Sequence, residues 1–562
     1  MPPRAKSRAA TAQPAEAEPK PTINGTGRAR AKKSGTPTVN GVIEKPKNAP
    51  APKGRAKKEA TPAVATKAPP KRKKDVESEP EAEVDADDEP KAKKAKTREV
   101  KAPRVLKRDL PKGPRRIKGR KTEINPLRYT EPLKVFVFGE GGQGELGLGA
   151  TKKAIDVKRP RYNEALSNLN VVRVATGGMH VVALTKDNKI LTWGVNDNGA
   201  LGRDTAAGVK LKDMDAEDDD SDSDDETGGL NELEATPTAI SADHFPEDTV
   251  FVDVVAGDSC SFALTTEGAV YGWGTFRKNE GILGFERNNH TANAPVYIDS
   301  ITKVTQLACG TNHVLALDKD RHVYAWGNGQ QNQLGRRVTE RTLTESLLPN
   351  RVGFHDTAFK RPSQRIAKIA CGDYHGLAIG EDGHVWSWGA NNYCETGQAE
   401  NAGDDNASVL TPRIVGSLEG KGVVAVEGGS HHNIALTQSG EVLVWGRCDG
   451  SQTGIPAEQL NAIDDTDKVL KSNGKAKILI EPTPIPGLSN IVTGACGPEH
   501  TIVINKDGKA YSWGFSANYQ TGQGTDDDID TPTLIDNTAV RDTKLIWAGA
   551  GGQYSALASK KE

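Results

Sequence analysis

The first 128 residues contain no Phe, Trp or Tyr. A stretch without aromatic residues, rich in Pro, Lys and Ala, cannot bury enough apolar surface to offset its chain entropy. It predicts a disordered arm rather than a domain. The chain has 562 residues and six cysteines, none in a Cys-x-x-Cys pair. That spacing excludes a zinc ribbon. In a chain with no apolar export core near its start, it predicts reduced thiols. No run is long and apolar enough to span a bilayer as a helix, so no membrane partner is expected. Ligands at metal spacing are missing, and so is a Ser/His/Asp set outside recurring positions. No metal and no cofactor are therefore expected, and a hydrolytic or metal-dependent enzyme is the least favoured class.

Charge is present but segregated. The formal net charge is −1. Residues 1–128 hold 35 Lys+Arg against 16 Asp+Glu, whereas residues 129–562 hold 39 against 59. The two parts face different partners. They divide the chain into a basic arm, 1–128, and an acidic folded part, 129–562.

The folded part repeats. A Gly-rich start recurs as GGMH (177–180), GDSC (257–260), GTNH (310–313), GDYH (372–375), GGSHH (428–432), GPEH (497–500) and GGQY (551–554). An aromatic-Gly end recurs as VFVFG (135–139), LTWG (191–194), YGWG (271–274), YAWG (324–327), WSWG (386–389), LVWG (443–446) and YSWG (511–514). Between start and end lie two apolar runs joined by a charged turn, as in LALDKDRHVYAW (315–326), the pattern of a hairpin. A short apolar run precedes each start, and a Gly-containing exit such as GALG (199–202) or NQLG (332–335) often follows each end. Four short strands per unit, seven times, predict an all-β, seven-bladed β-propeller rather than a sandwich. The first aromatic-Gly end has no start before it, and the last start has no end after it. One blade is expected to be built from both termini, closing the ring and removing free strand edges. The recurring His, Trp and the Cys of Cys309, Cys371 and Cys496 are expected in the core, because periodic repetition marks packing.

Seven units carrying GGMH, AGDS, WGxFR and an xLGR exit resemble the regulator of chromosome condensation family, over about residues 130–560. VNDNGALGRDT (195–205), AGDSCSFALTTEGAVYGWGTFR (256–277) and GGSHHNIAL (428–436) are the segments most like it. The resemblance implies a chromatin-bound guanine nucleotide exchange factor for the small GTPase Ran, which makes and breaks no covalent bond. One propeller face would dock on Ran, and a β-wedge from one blade would press on the nucleotide site. The wedge matches Phe276–Leu283, with Phe276, Arg277, Lys278, Asn279, Glu280, Gly281 and Ile282 as its contacts; the ordinary alternative is a blade loop.

Carried over by the same resemblance, Asp258 matches an acidic GTPase contact, Arg336 a basic one, and His431 a histidine that affects exchange. Asn312 stands where the family has an acidic residue, Cys394 where it has a histidine, and Tyr554 replaces the last unit's histidine. These departures weaken a strict electrostatic role and leave wedge insertion and the remaining contacts as the firmer mechanism. Without the resemblance, a lone Asp or His at a blade top is an ordinary hydrogen-bonding loop residue.

The arm carries PPKRKKD (69–75), KAKKAKTREVKAPRVLKR (91–108) and PKGPRRIKGRK (111–121). Dense Lys and Arg in a flexible chain bind phosphate by counterion release, here with no aromatic residue to stack on single strands. Lys71, Arg72, Lys73, Lys74, Arg115 and Arg116 are expected to contact DNA without sequence preference. Lys71–Lys74 also read as a nuclear import signal for importin. The plain alternative is a solubilising linker. The segment 335–353 carries Arg336, Arg337, Arg341 and Arg351. An arginine-bearing loop at this place meets the histone surface in the family, and an arginine fork pairs carboxylates; an exposed loop with no partner is the other reading. Residues 213–226, DMDAEDDDSDSDDE, predict a disordered acidic insertion. It could fold back on the arm, or take phosphate on Ser221 and Ser223. The expectation is therefore a nuclear, chromatin-associated exchange factor for Ran, with a non-catalytic histone-binding propeller scaffold as the alternative.

Overall fold

In each repeat, β-branched and aromatic residues fill consecutive short strands. Val171–Thr176 leads into His180–Thr185, and that into Ile190–Gly194. The turn between the last two needs a residue with positive φ. Asn188 takes φ 65° there, and the equivalent positions hold Gly268, Arg321, Gly383, Gly440 and Gly508, all with positive φ. This is the conformation that closes a tight hairpin, and it explains why the turns read as KDN, TEG, EDG or KDG.

The computed structural model describes residues 112–113, 122–126, 128–208 and 229–562. The disordered arm and acidic insertion expected from composition, including Lys71, Arg72, Lys73, Lys74, Arg115 and Arg116, lie almost wholly or wholly outside them. Among the described residues, seven antiparallel sheets of four strands follow one another, one of them extended to five by Val469–Ser472. They form the seven-bladed propeller. Successive inner strands are neighbours, and the strand Leu545–Ala550 lies beside both the blade before it and Val171–Thr176, so the ring closes.

We number the blades along the chain. Blade 1 is the split one. Leu133–Glu140 and Asp156–Asn163 come from one end of the folded part, Leu545–Ala550 and Tyr554–Lys560 from the other. Blades 2 to 7 begin at Val171, Phe251, Val304, Ile366, Val423 and Ile491.

The seven starts and seven aromatic-Gly ends meet one to one. His180 faces Gly194, Cys260 Gly274, His313 Gly327, His375 Gly389, His432 Gly446 and His500 Gly514 across the ladder. In blade 1 the pair is Tyr554 and Gly139, joined from opposite ends of the chain. A Cβ on Gly194, at φ 97°, would lie 2.5 Å from the carbonyl oxygen of Met179. Only glycine permits that approach.

Tryptophan binds blade to blade. Trp193, Trp273, Trp326, Trp388, Trp445 and Trp513 are fully buried. The indole N–H of Trp193 donates to Glu145 O, that of Trp273 to Ala200 O, Trp388 to Gln333 O, Trp445 to Glu395 O and Trp513 to Gln452 O. Each acceptor lies in the exit of the preceding blade. Buried histidines do the same one layer lower. Nε2 of His180, His375, His432 and His500 pairs with Ser261, Asn433, Thr501 and Ser555 of the next blade.

Each inner strand ends, and each third strand ends, at the same edge of the ring. That edge, the upper face, therefore carries the Gly-rich starts and the exits. The described N-terminal segment lies at the other, lower edge, where Leu133 pairs with Lys560. There Asn125 Nδ2 donates to Thr265 O at 2.9 Å and Val304 O at 2.8 Å. The backbone N–H groups of Ile124 and Asn125 also donate to Thr266 O, so contact with the propeller begins before the boundary that composition puts at 128. A strap held by backbone carbonyls has no compositional signature.

Candidate functional site

Among the described residues, the upper face carries one two-stranded sheet outside the blade ladders. In blade 3 the exit is replaced by a two-stranded hairpin, Phe276–Lys278 with Gly281–Gly284, forming a sheet of its own. Gly281, at φ 122°, follows the turn Asn279–Glu280. The base is apolar. Phe276, Phe285 and Phe262 stack with centroids about 6 Å apart, and Leu283 is buried beside them. Arg277, Asn279, Glu280 and Ile282 are exposed and Lys278 half-buried. Ile282, 46% exposed, is the apolar point of the tip.

Three polar contacts fix the hairpin to blade 4. Asn312 Oδ1 accepts from the backbone N–H of Arg277 at 2.7 Å. Gln330 Oε1 accepts from Asn279 N at 3.0 Å, and its Nε2 reaches Glu280. Lys278 pairs with Glu280 at 3.2 Å, which holds the Glu280 carboxyl below its ordinary range. From the other side the 3-10 helix Glu340–Leu347 packs on the base. Leu347 approaches Gly284, and Arg287 pairs with Glu345 at 3.5 Å.

The starts divide their labour by position. The residue after the first Gly lines the mouth of the axial channel, a cavity of about 630 Å³, in every blade: Gly178, Asp258, Thr311, Asp373, Ser430, Pro498 and Gly552. Asp258 and Asp373 make this rim acidic. Burial raises the Asp258 carboxyl above its ordinary value, against the Ser259 hydroxyl and the Arg277 guanidinium. The Ser430 hydroxyl donates to Asp373 Oδ2. The next residue turns outward to the exit of the preceding blade. Asn312 does so at the hairpin. His431 does so at Glu395, with Nδ1 2.7 Å from Oε1, and Arg447 and Gln452 reach Glu499 in the same way. His431 also packs against Tyr393 with the rings tilted, centroids 4.6 Å apart, and stacks with Tyr374 at 6.0 Å.

The predicted site residues sort accordingly. Asp258, Asn312 and the hairpin come together across blades 3 and 4. His431 lies at blades 5 and 6 on the same face. Phe276 departs from the expectation of a wedge contact: it is fully buried and anchors the hairpin from below. Cys394 is also fully buried, against Ile478 and Ile480, so it offers no surface to a partner, and burial pushes its thiol up to about 12. Arg336 turns inward and donates to Ala325 O at 2.9 Å. The matching Arg203 of blade 2 likewise donates to Thr192 O and Leu233 O. Arg336 is thus a bracket between exit and strand, and burial lowers its guanidinium to about 10. Arg337, Arg341 and Arg351 are exposed; Arg351 belongs to the outer strand of blade 4. Glu395, Asp373, Tyr374, Tyr393 and Gln330 were not among the expected site residues. Aligning the starts by position would have found Asp373, in register with Asp258. Nothing local marks Gln330. Among the described residues no group of His, Cys, Asp and Glu could hold a metal ion, and no helix is long and apolar enough to cross a membrane.

Residues 134–557 match the model of the RCC1-like domain. The chain belongs to this family. It is 40% identical over 441 residues to the guanine nucleotide exchange factor SRM1 of Saccharomyces cerevisiae, covering 77% of this chain and 88% of that protein. It is 29% identical over 469 residues to the human regulator of chromosome condensation, covering 81% and 98%. Among solved structures, Prp20p from Saccharomyces cerevisiae, described with its binding to Gsp1p and histones, superposes with a TM-score of 0.68 at 36% identity. That match covers 77% of this chain and 92% of the other. Yeast RCC1 (Prp20) bound to Kap60 superposes with a TM-score of 0.69 at 35% identity, covering 81% and 97%.

Proposed function

We propose that this RCC1-like propeller is a guanine nucleotide exchange factor for a Ran-type GTPase on chromatin. The observation that carries the reading is the hairpin 276–284, which stands outside the blade ladders on the face that also presents Asp258 and His431. A small GTPase holds its nucleotide through a phosphate-binding loop and Mg²⁺. A partner that binds the nucleotide-free form more tightly than the loaded form lowers the barrier to release, with no covalent step. Here the propeller face docks and the tip Arg277–Ile282 presses on the nucleotide site. The tip can push because its base is packed apolar surface and its backbone is tied to Asn312 and Gln330. Release of a fluorescent guanine nucleotide from Ran tests this. The full chain should accelerate release, and replacing Arg277, Lys278 and Asn279 by Gly should remove most of the acceleration.

The arm 1–128 is proposed to bind DNA through its phosphates and importin through Lys71–Lys74, which places the protein in the nucleus. Histones are proposed partners of the exposed Arg337 and Arg341. That proposal is supported by their position on and beside the 3-10 helix and by the histone binding described for Prp20p. A scaffold that binds histones without promoting exchange is the second reading, and the exposed arginines are the observation that favours it.

A further inference from the structure

The exits hold a repeated slot. Its residue accepts a hydrogen bond from the backbone N–H two residues earlier: Gln333 from Gln331, Gln452 from Gly450, Gln520 from Asn518, and Glu145 from Gln143, each at 2.9 Å. Glutamine fills this role with its oxygen and keeps an NH₂ to donate, as Gln452 does to Glu499. In blade 5 the slot holds Glu395. One carboxylate oxygen takes the Tyr393 N–H at 2.9 Å; the other, having no proton to give, faces a donor, His431 Nδ1 at 2.7 Å. The Glu395 side chain is fully buried and that of His431 is 22% exposed. His431 Nε2 has no partner among the described residues. Blade 1 supplies the contrast: the slot there holds Glu145, the facing start carries Met179, and burial pushes that carboxyl up to about 7. An ionised carboxylate in this slot can only accept, and in blade 5 the facing start brings it a donor.

We propose that Glu395 is a positioning residue for His431. Its buried carboxylate accepts from Nδ1–H and so holds the ring with Nε2 toward the face, offered in one fixed direction to a polar group on the GTPase. This rests on the exchange function proposed above. The other groups around the ring do not supply an equivalent acceptor. Tyr374 and Tyr393 present aromatic faces. His375 and His432 are buried behind it, with burial lowering both. Arg447 and Lys477 lie over Tyr393 at 5.3 Å, and Arg447 is tied to Asp449 and Glu499.

The test is NMR of the full chain labelled at the histidine ring nitrogens, which reports the nitrogen that carries the proton, with His431→Gln to assign the signal, beside Glu395→Gln. The Glu395→Gln variant should fold, because three other slots carry Gln. With an NH₂ facing the ring in Glu395→Gln, the His431 proton is expected to move from Nδ1 to Nε2, and Glu395→Asp to keep it on Nδ1. Nucleotide release from Ran should show a raised KM in Glu395→Gln. An unchanged His431 ring signal would overturn the proposal. A moved proton with an unchanged KM would overturn the docking half and leave exchange to the hairpin. If the unaltered chain itself failed to promote release, the exchange function would fall, while the ring signal would still decide what Glu395 does.

Discussion

At the scale of residues, the ring shows which histidines are matched. His432 Nε2 meets the Thr501 hydroxyl at 2.8 Å. For His313 the position that Thr501 holds for His432 is Gly376, which has no side chain to offer, and neither ring nitrogen has a hydrogen-bond partner among the described residues. Replacing His432 by Phe should cost about 1–3 kcal/mol, because the buried Thr501 hydroxyl loses its short contact and keeps only Cys496 Sγ at 3.7 Å. The same change at His313 should cost less than about 1 kcal/mol; urea denaturation of both variants checks the difference. Burial also holds His180 and His500 down to about 4 and His313 and His432 down to about 3, so all four fold neutral. A depressed histidine contributes stability that is complete above its unfolded value of about 6.5 and is lost as pH falls from there toward its folded value. Thermal stability should therefore fall steadily from pH 6.5 to pH 4, with unfolding coupled to uptake of several protons. A flat profile over that window would show the rings to be solvated. Sequence pattern was enough to put these histidines in the core. It could not separate His431 from His432, adjacent residues of which one latches the upper face and the other is buried, because side-chain direction is set only when the start pairs with the strand ending at Gly446.

At the scale of elements, the hairpin stands apart from the ladders but not from the core. Its base shares the aromatic stack of blade 3, while its tip is tied to blade 4 mainly through backbone N–H groups that a Gly keeps. Replacing Arg277, Lys278 and Asn279 by Gly should shift the melting temperature by less than about 2 °C, since exposed positions away from packed groups change stability little. Asn312→Ala removes the acceptor for Arg277 N–H. It should loosen the hairpin and slow nucleotide release by about tenfold, the effect of losing a contact worth ~1.4 kcal/mol. Asn312→Asp keeps the oxygen and should retain most of the activity. That pair of variants separates a geometric role from a charge role at this position. Gly and polar residues inside TFRKNEGILG gave the hairpin away as a protrusion. The buried role of Phe276 was not legible, because burial there depends on Phe262, Phe285 and Leu347, the last of them more than sixty residues distant in sequence. The inward turn of Arg336 was hidden for a similar reason: the carbonyls that take it belong to the strand before it, and only the matching Arg203 shows the pattern.

At the scale of the whole molecule, the unpaired first end and unpaired last start were sufficient to predict a split blade, and Val135–Gly139 does pair with Tyr554–Ala558. A composition change at 128 did not mark where contact with the propeller begins, since Asn125 is held by two backbone carbonyls. The arm and the face are proposed to act separately. Neutralising Lys71, Arg72, Lys73, Lys74, Arg115 and Arg116 should weaken DNA binding and flatten its dependence on salt, and leave exchange on free Ran unchanged. The most direct measurement of the central claim is release of fluorescent guanine nucleotide from Ran by the full chain, with and without the Arg277, Lys278 and Asn279 to Gly replacements. Fast release by the unaltered chain, largely lost in the variant, is the predicted result. Equal release by both, or no acceleration by either, would contradict exchange driven by the hairpin.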